Sequence, residues 1–172
     1  MSRSQAQKNR LGIERNLLER YFPNRVTWQN PTTLDTRVEI VMTSNSNKEY
    51  NLRVYIPVDF PHSCPEMVVV SPKLTLKDGT PIPTVSDSFH TIGEKEGYVI
   101  LCHFIPKSWK SESTLYQVFM KGRLWLEGYE GHLRTGEDMD VFLKHQHEET
   151  PNDNISDTHT RERTTKCPCV MM

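Results

Sequence analysis

Cys102 is the residue in this chain whose setting points most directly to covalent chemistry. It stands in Tyr98-Val99-Ile100-Leu101-Cys102-His103-Phe104, an apolar run that closes a stretch broken by Pro72, Gly79, Pro81, Pro83, Gly93 and Gly97. A cysteine is nucleophilic as the thiolate, which needs partial exposure and a stabilising neighbour. A loop-to-strand junction beside His103 supplies both. The same residue also reads as a small core side chain in an apolar strand, because free cysteine is among the most buried residue types. His90 and His103 are each candidates for a general base or an oxyanion donor, and each equally resembles a solvated or hydrogen-bonded histidine.

Other chemistries have less support. Cys64, His62, His90, Cys102 and His103 lack the Cys-x-x-Cys and His-x-x-x-His spacings of structural zinc, so no metal is expected. No Gly-x-x-x-x-Gly-Lys, Gly-x-Gly-x-x-Gly or Gly-x-Ser-x-Gly occurs, so nucleotide binding and serine hydrolysis have no motif, and no cofactor is expected.

The elements that must position these residues follow from periodicity. Residues from about 3 to 22 read as a helix, with Leu11, Leu17, Leu18 and Tyr21 on one face and Arg10, Glu14, Arg15, Glu19 and Arg20 opposite; Pro23 stops it. A weak first strand lies at Arg25–Gln29. Val38, Ile40 and Met42 alternate with polar residues, Asn45-Ser46-Asn47 is a turn, and Tyr50, Leu52, Val54 and Ile56 alternate again. Met67 to Val70 is a short apolar run suited to an interior strand. Residues 71–97 read as a long irregular segment, which in a compact domain is usually functional. A second helix then carries Leu115, Val118, Phe119, Trp125, Leu126 and Tyr129 on one face, with Ser113 as N-cap and Thr135-Gly136 as its stop. Gly122, Gly128 and Gly131 fit close backbone packing. A shorter helix with Met139, Phe142 and Leu143 inward follows. No internal repeat is present.

Taken in order, these segments resemble the ubiquitin-conjugating enzyme family. The residues that carry the resemblance are Tyr50 to Val54, Phe60-Pro61-His62-Ser63-Cys64-Pro65, Met67 to Val70, Phe89-His90, Gly97, Cys102, Trp109 and the amphipathic helix. They span roughly residues 5–145. The resemblance implies an α+β fold of the ubiquitin-conjugating type: an N-terminal helix, a four-stranded antiparallel meander, a long active-site segment and C-terminal helices. Residues 1–147 would be that domain.

The match is uneven at the active site. Eukaryotic members carry His-Pro-Asn where this chain has His90-Thr91-Ile92, and counting from Gly97 by their pattern puts Ile100 at the catalytic position, as in an inactive variant. Bacterial ubiquitin-conjugating-like proteins give a second alignment. Leu101-Cys102-His103-Phe104-Ile105-Pro106-Lys107-Ser108-Trp109 is similar to their leucine, cysteine, apolar, proline and tryptophan pattern, and Trp125-Leu126, Tyr129-Glu130 and Thr135-Gly136 are similar to their next helix. This alignment implies a thioester on Cys102, with His90 standing in for the missing asparagine and His103 as a second candidate. The implied partners are ubiquitin or a ubiquitin-like protein, an activating enzyme and a protein target. The alternative is a catalytically inactive variant that binds ubiquitin-like proteins or partners.

The end of the chain adds a separate expectation. Residues 148–172 are polar without apolar period and read as a disordered tail. Cys169-Val170-Met171-Met172 matches a prenylation pattern, and Cys167 is placed for palmitoylation, so membrane association is expected only if these cysteines are lipidated. The 172 residues otherwise read as soluble and cytoplasmic: 25% are charged, no apolar run is long enough to cross a membrane, and no signal peptide is visible. Lys+Arg 21 against Asp+Glu 22 gives a net charge of −1, so no global basic field recruits nucleic acid. Four cysteines in such a chain are expected as free thiols.

Overall fold

A computed structural model describes residues 2–143. The expected tail at 148–172, with Cys167 and Cys169, lies outside the described residues. The chain opens with helix α1 (Gln5–Tyr21), whose N-cap Ser4 forms a capping box with Gln7. Its inward face is Leu11, Glu14 and Leu18. Glu14, assigned by periodicity to the solvent side, is only 1% exposed. It is satisfied there by Arg10 Nε at 2.8 Å and by the backbone N–H of Leu115 at 2.8 Å. A buried carboxylate needs such partners, and with them it ties the first helix to the start of the second.

Strands β1 (Val26–Gln29), β2 (Arg37–Thr43), β3 (Glu49–Tyr55) and β4 (Glu66–Ser71) follow, each antiparallel to its predecessor. Strict alternation in β2 turns Val38, Ile40 and Met42 inward, and β3 answers with Tyr50, Leu52 and Val54. The sheet then continues through β5 (Val85–Ser86), β6 (Thr91–Lys95) and β7 (Tyr98–Leu101), in the order β1-β2-β3-β4-β7-β6-β5.

The expected four-stranded meander of the ubiquitin-conjugating type, with a long irregular segment and several C-terminal helices, is therefore overturned. Among the described residues the sheet has seven strands, and one α-helix follows it, α2 (Leu115–Thr135). The expected third helix is a single 3-10 turn at Met139–Val141. The glycines that broke the sequence pattern punctuate strands instead. Glu96 and Gly97, at φ 54° and 82°, make the two-residue turn between β6 and β7, where positive φ is required at both positions. A bulge between Thr91 and Gly93 shifts the register of the same hairpin.

Helix α2 is capped by Thr114 rather than Ser113, again through a capping box, here with Gln117. Its apolar stripe, including Leu115, Val118, Phe119, Trp125, Leu126 and Tyr129, lies in one core cluster with Ile40, Leu52, Met67 and Leu101 of the sheet. A side-chain carbon at Gly122 would collide with Met67, so the glycine lets helix and sheet approach closely. The opposite sheet face carries a smaller cluster of Tyr55, Val68 and Ile100. Among the described residues, no helix is long and apolar enough to cross a membrane.

Candidate active site

Cys102 is the first residue beyond β7, and His90 the last before β6. The hairpin pairs Thr91 with Leu101, so its register carries His90 opposite Cys102. The Cys102 N–H donates to the His90 carbonyl at 2.8 Å. Trp125 Nε1–H, from α2, donates to the same carbonyl at 3.2 Å and to that of Phe89 at 3.1 Å. These donors hold His90 at φ 52°, a left-handed conformation uncommon outside glycine.

The His90 side chain is 9% exposed, and its Nε2 lies 2.6 Å from Asp140 Oδ1. Asp140 arrives on the Met139–Val141 turn. Met139 is fully buried, and Phe142 and Leu143 seat against Gly131 and Gly128, where an added side-chain carbon would stand 2.8 Å from either ring or branch. The helix glycines thus make the notch that sets the turn, and the turn delivers the carboxylate. A histidine bonded to a carboxylate is fixed in ring orientation.

His103 points elsewhere. Its Nδ1 is 3.1 Å from the Leu101 carbonyl and its Nε2 is 3.9 Å from Cys64 Sγ. Burial lowers its pKa despite the opposing pull of the Leu101 and Pro65 carbonyls, so it is neutral at pH 7. Cys64 is partly buried, and burial pushes its thiol up to about 12. That sulfur is a poor nucleophile. Cys102 is half-buried and Ile100, the rival position, is only 8% exposed. The Cys102 sulfur is engaged in a disulfide, contrary to the expectation of free thiols, whereas Cys64 is free as expected.

The residues after Cys102 are clamped by Trp109. Its Nε1–H donates to the Pro61 carbonyl at 3.0 Å, and its ring meets Phe104 edge-on with centroids 5.3 Å apart. The cysteine-to-tryptophan spacing noted in the sequence has this physical content: it anchors the segment that leaves the cysteine. Asp140 was not singled out by the sequence. The only signal available was a lone carboxylate between Met139 and Phe142 in a short apolar segment, and nothing in that pattern names His90 as its partner. Among the described residues, no group of three or more His, Cys, Asp or Glu is arranged to hold a metal ion. No protein-family model and no curated protein matches this chain.

Proposed function

We propose that the chain accepts an acyl group as a thioester on Cys102 and passes it to an amine, the acyl group being the C-terminal carbonyl of ubiquitin or a ubiquitin-like protein. The observation that carries this reading is the hairpin register that sets Cys102 beside a histidine bonded to Asp140. Support for the nature of the acyl donor comes from the resemblance of Leu101 to Trp109 to the motif of bacterial ubiquitin-conjugating-like proteins. An external dithiol first reduces the Cys102 disulfide to thiols by exchange and is itself oxidised to a disulfide. The Cys102 thiolate then attacks the carbonyl carbon of the donor thioester, and the donor sulfur leaves as thiolate. In the second step an amine attacks the Cys102 thioester, loses its proton and becomes an amide, and Cys102 returns as thiolate. His90 is the group proposed to handle that proton. A cytoplasmic setting, where thiols stay reduced, suits this cycle.

The test is to incubate the reduced protein with an activating enzyme, ATP and a ubiquitin-like protein, or directly with that protein as its C-terminal alkyl thioester. An adduct cleaved by reducing agent is expected, lost in Cys102→Ala and kept in Cys64→Ala. A Cys102→Ser protein should trap a reductant-resistant oxyester. Absence of any adduct in both arms would sink the reading.

A further inference from the structure

A second feature shares no residue with the Cys102 site. Between α1 and the β1–β2 connection lies a cleft of about 420 Å³ lined by Arg3, Lys8, Leu11, Gly12, Arg15, Trp28, Pro31 and Thr32. Three of these are cations and none is an acid, in a chain whose net charge is −1. Lys8, Leu11, Gly12 and Arg15 recur at helical spacing and so share one face of α1. Among the described residues, Arg3, Lys8 and Arg15 take part in no ion pair.

Arg3 is the strongest part of the case. It is only 5% exposed. Its Nη1 donates to the carbonyls of Pro57 at 2.8 Å and Val58 at 3.3 Å, and its Nη2 to those of Ile56 at 3.2 Å and Leu34 at 3.4 Å. Carbonyl dipoles orient the guanidinium without cancelling its charge, and a buried charge without a counter-ion is costly. Asp35 does not cancel it, being paired with Arg37 at 3.1 Å. The Arg3 Nε–H and the Trp28 indole N–H are both buried, and neither has a hydrogen-bond partner. Both donors belong to residues that line the cleft, though neither N–H is itself exposed to it, so they sit close enough to report on what occupies the cleft.

Gly12 adds an independent observation. A glycine within a helix costs about 1 kcal/mol against alanine. A side-chain carbon here would meet nothing within 4 Å, so no packing contact demands the glycine. What its bare backbone preserves is the open space of the cleft.

We infer that this cleft is a binding site for a small organic anion, a phosphate or carboxylate joined to a flat apolar body. The anionic group faces Arg3, Lys8 and Arg15, and the body lies on Leu11, Trp28 and Pro31. The volume is that of a small-molecule site.

The experiment is a titration of the full chain followed by 15N–1H correlation spectra, reading the Trp28 Nε1–H and Arg3 Nε–H resonances. The probes are phenyl phosphate, benzoate, inorganic phosphate and neutral benzyl alcohol. Phenyl phosphate or benzoate should move both resonances saturably at millimolar concentration or below, the tighter of the two naming the head group. Benzyl alcohol should not move them. Gly12→Leu fills the cleft and should abolish the response, while Arg15→Glu, at an exposed position, should weaken it about tenfold. Unchanged thermal melts show that both variants are folded, and if Gly12→Leu fails to fold, Arg15→Glu alone decides. No saturable shift with any anion overturns the site. So does an undiminished response in Arg15→Glu or in folded Gly12→Leu. An equal response to inorganic phosphate and phenyl phosphate overturns the apolar half.

Discussion

His90 Nε2 lies 2.6 Å from Asp140 Oδ1, joining residues 50 apart in sequence across the end of the β6–β7 hairpin. The relationship depends on both partners being presented by rigid parts of the fold: His90 by the hairpin and Trp125, Asp140 by the turn seated on the α2 glycines. Neither helix nor strand propensity alone would bring them together.

Replacing Asp140 by Asn tests the pair. The Asp140 side chain is 43% exposed, and a hydrogen bond so placed contributes about 1 kcal/mol or less to stability. The melting temperature should fall by no more than about 5 °C. Discharge of a Cys102 thioester to free lysine should slow roughly tenfold or more, because His90 loses the carboxylate that fixes its ring. Single-turnover discharge beside a thermal melt separates the two effects. A large drop in melting temperature with unchanged discharge would make Asp140 a structural residue only.

The two described cysteines should differ sharply in reactivity once reduced. With its thiol pushed up to about 12, Cys64 is about one part in ten thousand thiolate at pH 8. Iodoacetamide at that pH should label Cys102 and leave Cys64 intact in the folded protein. Peptide mapping after brief exposure checks this, and equal labelling of both would contradict the burial that silences Cys64.

Much of this fold was legible in the residues. Alternation gave β2 and β3, and the stripe from Leu115 to Tyr129 gave α2 and its buried face. Residues 71–97 were misread because their strands are short and bounded by glycines, and a hairpin with a bulge and a two-residue turn has too little alternation to register as strand. Glu14 was misplaced because periodicity assumes that charge faces water, whereas Arg10 and the Leu115 N–H make its burial tolerable. In the candidate site, Cys102 and His90 were legible by residue type and position. The Asp140 contact and the turning of His103 toward Cys64 were not, since both depend on distances between segments far apart in sequence.

A third prediction concerns acid stability. Glu130 is 5% exposed and accepts hydrogen bonds from Ser44 Oγ at 2.8 Å, Ser46 Oγ at 2.7 Å and Tyr50 Oη at 2.9 Å. Burial alone would raise its pKa, but these donors outweigh burial and hold the carboxyl below its ordinary value. A folded-state pKa below the unfolded one contributes stability that is present above the unfolded value, about 4.3, and is lost as pH falls through the folded value. Glu130→Gln should cost about 1–3 kcal/mol at neutral pH, since its amide group cannot accept from all three hydroxyls. The gap in urea midpoint between parent and variant should narrow as pH drops below about 4. A gap that stays constant through that range would count against the depressed carboxyl.

The last prediction sets two helix glycines against each other. By propensity alone, Gly12→Ala in α1 and Gly131→Ala in α2 should each stabilise the protein by up to about 1 kcal/mol. Gly12 fits that expectation, because its new carbon meets nothing within 4 Å. Gly131 does not, because the carbon would stand 2.8 Å from Phe142 Cγ, closer than two carbons pack. The Phe142 ring must then move, and it belongs to the turn that carries Asp140. Overpacking of this kind costs about 1–3 kcal/mol, enough to reverse the helix gain. Gly12→Ala should therefore raise the melting temperature and leave thioester discharge unchanged. Gly131→Ala should lower the melting temperature and slow discharge together, because the shifted turn draws Asp140 away from His90. If Gly131→Ala instead matched Gly12→Ala in both measurements, the notch would not be what positions the carboxylate.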